Sequence, residues 1–201
     1  LPKDGNMNNF LKDEILNRIP ITLTINLISM FLIFIISLYF GIKSALNKNS
    51  FFDKATEQLS LLNFAMPSFY LALILVLVFA INFEIFPIAG LHSVPNDGSL
   101  TYYLDYAWHL VLPIFIIVFG GIGSLILYIK SLTVEILKSD YIFFAHARGL
   151  SKKQILRFYI LPNLYPPVIT LLGLSLPGII GGSVILETIF SIDGMGLLFY
   201  Q

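Results

Sequence analysis

Few residues in this chain are equipped for chemistry. The 201 residues include no Cys, three His, and equal numbers of cations and anions, 12 of each. Without Cys, disulfide scaffolds and thiolate metal sites are excluded. His92, His109 and His146 lack the spacing of a metal pair, so a structural role outweighs ligation. Met66 and Met195 form no stripe suited to a soft metal. No GxxxxGKS/T phosphate loop occurs, and the chain is expected to hold no nucleotide and no cofactor of its own. Its most apolar stretches contain no Asp, Glu, His, Lys or Arg. Ser29, Ser37, Ser60, Ser68, Ser124, Ser175 and Ser183 therefore have no base beside them, which argues against a membrane-embedded enzyme. A channel or secondary transporter is the alternative of another class, and a coupling-ion transporter is disfavoured on the same ground, because it keeps an ionisable group at mid-membrane. Contact chemistry remains: a cation-rich stretch over 130–163, and Glu187 at the close of the last apolar run.

Composition dictates what positions these residues. Charged side chains make up 12% of the chain, hydrophobic ones 57%, and mean hydropathy is +0.84. A soluble domain of this size cannot hide that much apolar surface. Disorder and a basic nucleic-acid binder are excluded as well. An all-α bundle of membrane-crossing helices is expected. Four charge-free runs are long enough: 21–42, 59–83, 110–129 and 164–186, with 22, 25, 20 and 23 residues. They are apolar all round and show no strand alternation. Pro166, Pro167 and Pro177, with Gly173, Gly178, Gly181 and Gly182, predict a broken, thinned fourth span suited to a pathway or a tight interface. Gly178 and Gly182 form a GxxxG, a close-packing pattern between crossing helices. Glu187 is read as a carboxylate wetted at the outer interface, with a functional role as the alternative.

Orientation follows from Lys and Arg counts in the short connections. Segments 43–58 and 130–163 carry nine cations together, and 1–20, 84–109 and 187–201 carry three. The nine-cation side is assigned to the cytoplasm, which makes 1–20 an extracytoplasmic lead-in. Leu1 is not Met, and the chain stops at Gln201 just after a Gly-rich turn, so an internal fragment of a longer protein is expected.

The 130–163 loop is the most informative segment. A helix is expected from Thr133 to Arg148, ended by a left-handed Gly149. Ser151 and Gln154 then form a capping box, with Leu150 and Ile155 as its hydrophobic staple, and Pro162 is expected to end the second helix. Ala145 and Ala147 are small enough to admit another backbone. Tyr141, Phe143, Phe144, Phe158 and Tyr159 offer apolar contact area. The plainer alternative is an amphipathic segment lying on the membrane surface.

Asp140-Tyr-x-x-x-Ala145-x-Ala147-x-Gly149-Leu-Ser, followed by Leu161-Pro-Asn163, resembles the EAA loop of ABC-importer permeases of the dipeptide/oligopeptide/nickel family. The resemblance extends in order along the chain. It takes in Arg18-Ile-Pro-Ile-Thr22-Leu, Asp53, Met66-Pro67-Ser68-Phe69, Phe86-Pro87-x-x-Gly90, His109-Leu-Val-Leu-Pro113 and Pro167-Val-Ile-Thr170. Gly181-Gly-Ser-Val-Ile-Leu-Glu187-Thr-x-Phe190 and Gly194-Met-Gly196 complete it. Asp140 stands where the general motif has Glu, and Pro162 where many relatives carry Arg or another polar residue. The resemblance implies a multi-pass permease subunit of the bacterial inner membrane, paired with a second permease. It also implies two cytoplasmic ATPases that bind ATP and Mg, and an external binding protein that delivers substrate. On that basis Asp140, Tyr141, Ala145, Ala147, Gly149, Leu150, Ser151, Lys152 and Lys153 form the ATPase-coupling loop. Gly173, Pro177, Gly178, Gly181, Gly182 and Glu187 are the pathway or packing candidates. A short peptide is the expected substrate, with nickel or a nickel chelate as runner-up.

Overall fold

The computed structural model describes residues 7–181 and 184–200, and all regular structure among them is helical. The helices are α1 (Met7–Leu46), α2 (Phe51–Ala65), α3 (Ser68–Leu75), α4 (Leu100–Leu137), α5 (Asp140–Ala147), α6 (Lys152–Ile155), α7 (Leu161–Gly181), α8 (Val184–Ile189) and α9 (Met195–Tyr200). Two wide π-turns extend them, Val76–Asn82 after α3 and Leu156–Ile160 between α6 and α7. Stretches Lys12–Leu46, Leu100–Leu137 and Lys152–Ile179 are each long and apolar enough to cross a membrane. The fourth expected crossing exists only as a bent pair, α2 with α3 and its π-turn.

Three expectations need correction. The 59–83 run is interrupted at Met66–Pro67. Proline fixes its own φ, here −61°, and drives the preceding residue out of the α region, here to φ −90° and ψ 119°. The prolines of the fourth run do not break it, since α7 is helical through Pro166, Pro167 and Pro177. Pro162 does not end the elbow's second helix either. It follows the π-turn, where the Leu161 N–H bonds the Leu156 carbonyl, and the helix continues into α7. Widening of this kind rearranges the carbonyls next to a proline ring. Pro20 and Pro113 also lie inside helices, because α1 and α4 begin well before the apolar runs they contain.

The chain gathers into two compact units. One contains the described residues of 31–66 and 119–176. Its core sets Ile129, Leu164 and Val168 against Phe34, Leu38, Ile42 and Leu125. Asn63 binds α2 to α4: its amide donates to the Phe119 carbonyl and accepts the Gly123 N–H at 3.1 Å. A Cβ at Gly123 would sit 2.6 Å from the Ser60 carbonyl oxygen, so this crossing requires glycine. Nearby, buried Asp53 receives Lys130 Nζ at 2.6 Å, the Ser44 hydroxyl and the Asn49 N–H at 2.8 Å. Lys130 also reaches Glu57 at 2.8 Å. A buried carboxylate is tolerable only when paired and hydrogen-bonded in this way.

The second unit contains the described residues of 1–30, 67–118 and 177–201. Its connection before α4 is pinned by the aromatic cluster that the sequence places there. The Trp108 indole donates to the Ile85 carbonyl at 3.2 Å and stacks on Phe86. His92 lies against Tyr102 and Tyr106. His109 is buried, with Nδ1 2.8 Å from the Asp105 carbonyl and Nε2 3.2 Å from Ser93 Oγ. Asp105 stands between the two imidazoles and accepts the Ser93 N–H at 2.6 Å, so these histidines fasten a loop to a helix. Among the described residues no group of three or more His, Asp or Glu is placed to hold a metal ion.

Candidate coupling loop and buried carboxylate

The loop between α4 and α7 folds as an elbow, with one more break than expected. The helix expected over 133–148 is divided at Lys138–Ser139, where α4 closes with Lys138 and Ser139 N–H groups bonding Glu135 and Ile136 carbonyls. Ser139 adopts an extended backbone ahead of α5, and Asp140 occupies the first turn, where a carboxylate complements the helix dipole. At the other end Gly149 has φ +78°. Its N–H bonds the His146 carbonyl at 2.9 Å, and the Leu150 N–H bonds the Ala145 carbonyl at 3.2 Å. These two bonds make a Schellman ending, which satisfies carbonyls that a bare helix terminus would leave open. The capping box follows: Ser151 Oγ accepts the Gln154 N–H, and Gln154 Oε1 accepts the Ser151 N–H at 2.9 Å.

Inside the elbow, Ile142, Ala145, Ile155 and Ile160 are buried together, with Leu150 and Tyr159 packed on them. Ala145 is buried in this core, where its small side chain admits the elbow's second arm. Ala147 remains exposed. Phe143, Phe144 and Phe158 are 70%, 63% and 60% exposed, a large apolar area on a short segment. Asp140, Tyr141, Lys152 and Lys153 are exposed beside it. Lys138, Arg148, Lys152 and Lys153 have no carboxylate at ion-pair distance among the described residues.

Of the pathway candidates, Gly173, Pro177 and Gly178 lie exposed on α7, and a Cβ at either glycine would meet nothing within 4 Å. Gly181 closes α7, and Gly182 lies outside the described residues. The intrachain close approaches among the described residues fall at other glycines, Gly123 and Gly194 among them.

Glu187 corrects the expectation most strongly. It is buried rather than wetted at an interface. Thr22 Oγ1 donates to Oε1 at 3.4 Å, and the Leu197 N–H donates to Oε2 at 2.8 Å. The Met195 N–H donates to Thr22 Oγ1 at 2.8 Å, which closes a ring of contacts among α1, α8 and the first turn of α9. The chain turns around this carboxylate through Ser191 at φ +49°, with the Ile192 N–H bonding the Glu187 carbonyl at 2.8 Å. A Cβ at Gly194 would lie 2.5 Å from Glu187 Cδ. Thr22, Glu187 and Gly194, separate landmarks in the sequence, are thus one constellation.

The model of the family described as "Binding-protein-dependent transport system inner membrane component" matches residues 34–201, which include the elbow, the Asp53–Lys130 pair and Glu187. The chain belongs to this family of inner membrane transport components. Several curated proteins are similar to it. The oligopeptide transport system permease protein AppB of Bacillus subtilis (strain 168) is 36% identical over 189 residues, which are 94% of this chain and 59% of that protein. The dipeptide transport system permease protein DppB of the same organism is 32% identical over 191 residues, 95% of this chain and 58% of that protein. The inner membrane ABC transporter permease protein YejB of Escherichia coli O157:H7 is 32% identical over 191 residues, 92% of this chain and 52% of that protein. The chain thus spans between half and three-fifths of the length of these relatives. Membership in an inner membrane component family and three long apolar helices make this a multi-pass inner-membrane protein.

Proposed function

We propose that the chain is the translocating part of an ATP-driven importer of short peptides, and that the 138–161 elbow is its energy-coupling contact. The elbow carries this reading. Its two arms are locked by a Schellman ending, a capping box and a private apolar core, while Phe143, Phe144, Phe158 and unpaired cations face outward. A lever must be stiff inside and adhesive outside, and this segment has both properties. A surface-lying amphipathic segment needs neither the rigid turn nor the capping box. The partner class follows from the family: cytoplasmic ATPases with an apolar groove rimmed by carboxylates, whose closure on ATP is the two-state event that the elbow relays. Hydrolysis belongs to those partners. A second permease pairs with the exposed Gly173, Pro177 and Gly178 stretch of α7, and an external binding protein delivers the substrate. Positive-inside counting supports the elbow's placement in the cytoplasm. A peptide substrate is favoured because the relatives include oligopeptide and dipeptide system permeases.

The test uses the full-length protein with its partners in membrane vesicles. Phe143→Asp/Phe144→Asp is expected to leave membrane insertion intact, abolish co-purification of the ATPases, and stop uptake of labelled dipeptide. Normal ATPase retention and normal uptake would refute the coupling role. Uptake of labelled nickel instead of dipeptide by the wild type would move the substrate assignment to the metal.

A further inference from the structure

The 31–66/119–176 unit contains a cavity of about 190 Å³ between α1, α2 and α4. Its walls are almost wholly hydrocarbon, with Phe40, Ile122 and Ile126 prominent. Three polar residues of α2 reach it: Thr56, Ser60 and Asn63. Asn63 is held by the Phe119 carbonyl and the Gly123 N–H, which leaves its amide one donor and one acceptor site. Ser60 differs. It is 3% exposed, and its buried Oγ has no hydrogen-bond partner. A buried hydroxyl is seldom left unpaired, since desolvation without replacement is costly.

Water fits the space poorly. At roughly 30 Å³ per molecule it would take several waters to fill it, yet each needs two to four polar partners. Two hydroxyls and one half-engaged amide, all on one wall, supply too few. An apolar cavity of about 150 Å³ is large enough to bind benzene. The space beside Ser60 therefore suits a ring or chain somewhat larger than benzene that carries one hydrogen-bonding oxygen. Leu59 and Leu62, 66% and 57% exposed, also line the cavity, so its mouth is apolar as well. In a membrane protein such a mouth admits solutes dissolved in hydrocarbon.

We infer that this cavity is a binding site for a small uncharged amphiphile with a single hydroxyl, of the phenol or medium-chain alkanol class, whose oxygen pairs with Ser60 Oγ. This inference rests on the membrane location and not on the peptide-import reading. It is tested on the full-length protein with its partners in native membranes, using a diazirine-bearing octanol as photolabel and peptide mapping of the adducts. Labelling is expected to concentrate on residues 56–63 and 119–126 and to be displaced by excess 1-octanol. Ser60→Ala should weaken site labelling about fivefold, the loss of one hydrogen bond. Ser60→Phe should fill the space and reduce labelling at least tenfold. Membrane abundance and ATPase co-purification of each variant serve as folding controls. Even labelling of all lipid-facing helices, no displacement by octanol, or unchanged labelling in Ser60→Phe would overturn the assignment. So would absence of label because another segment of the full-length chain fills the space.

Discussion

Glu187 and Gly194 make a matched pair. The carboxylate holds the Leu197 N–H and the Thr22 hydroxyl, and Gly194 is the one residue type whose side chain leaves it room. Gly194→Ala is expected to lower the thermal stability of the purified complex by about 1–3 kcal/mol, the usual cost of overpacking a tight site. Glu187→Asp, a shorter acid, should recover part of that loss in the double variant, which a double-mutant cycle measures directly. Glu187→Ala would leave buried donors unpaired, at about 1–3 kcal/mol. Lys130 poses the same question with charge. Lys130→Met strands the buried Asp53 carboxylate, and about 3–5 kcal/mol of stability should be lost, visible as faster heat inactivation of the solubilised complex. Adding Asp53→Asn to Lys130→Met should restore part of it. None of this pairing was legible in the sequence. Thr22 and Glu187 are 165 positions apart and Asp53 and Lys130 are 77 apart, and no local periodicity links such positions. Glu187 follows the apolar run that ends at Leu186, and along the chain the edge of that run cannot be told from the edge of the membrane.

Elements with local causes were the readable ones. Gly149, Ser151 and Gln154 announced the turn and the cap of the elbow, and the structure forms both. Gly149→Ala should cost about 1–2 kcal/mol, because an L side chain at φ +78° is strained, whereas Gly149→Asn should cost less. Hydrogen exchange over residues 140–160 would register the difference as faster opening in the Ala variant. Missed element boundaries have equally physical causes. Met66–Pro67 carried a clear extended-dipeptide signal that was outweighed by 25 consecutive uncharged residues. Conversely, Pro166, Pro167 and Pro177 signal breaks in the sequence, and the helix passes through all three. Consecutive prolines withhold N–H donors from the Pro162 and Asn163 carbonyls only, and the helix runs on through them.

For the whole molecule, the neutral total of 12 cations and 12 anions conceals a lopsided distribution. The 201 residues contain no Cys, so single introduced cysteines, with any other cysteine of the full-length protein replaced, report topology. Asp97→Cys and Lys153→Cys, both at exposed positions, are expected to react with an impermeant maleimide from opposite faces of sealed vesicles. Reaction from one face alone would overturn the cytoplasmic placement of the elbow. The π-turn at Leu156–Ile160 has a bearing on how such an elbow is geared to its helix. A π-turn contains one residue more than an α-turn, and one residue is about 100° of helical phase. Downstream, Leu164 and Val168 fix the azimuth of α7 by packing beside Ile129. Upstream, Ile155 and Ile160 fix that of the elbow. Deleting one residue between 156 and 160 would tighten the wide turn to an ordinary α-turn and leave the two bearings in phase, whereas deleting one from the regular helix that follows would turn them about 100° apart; the wide turn is the slack in the gear.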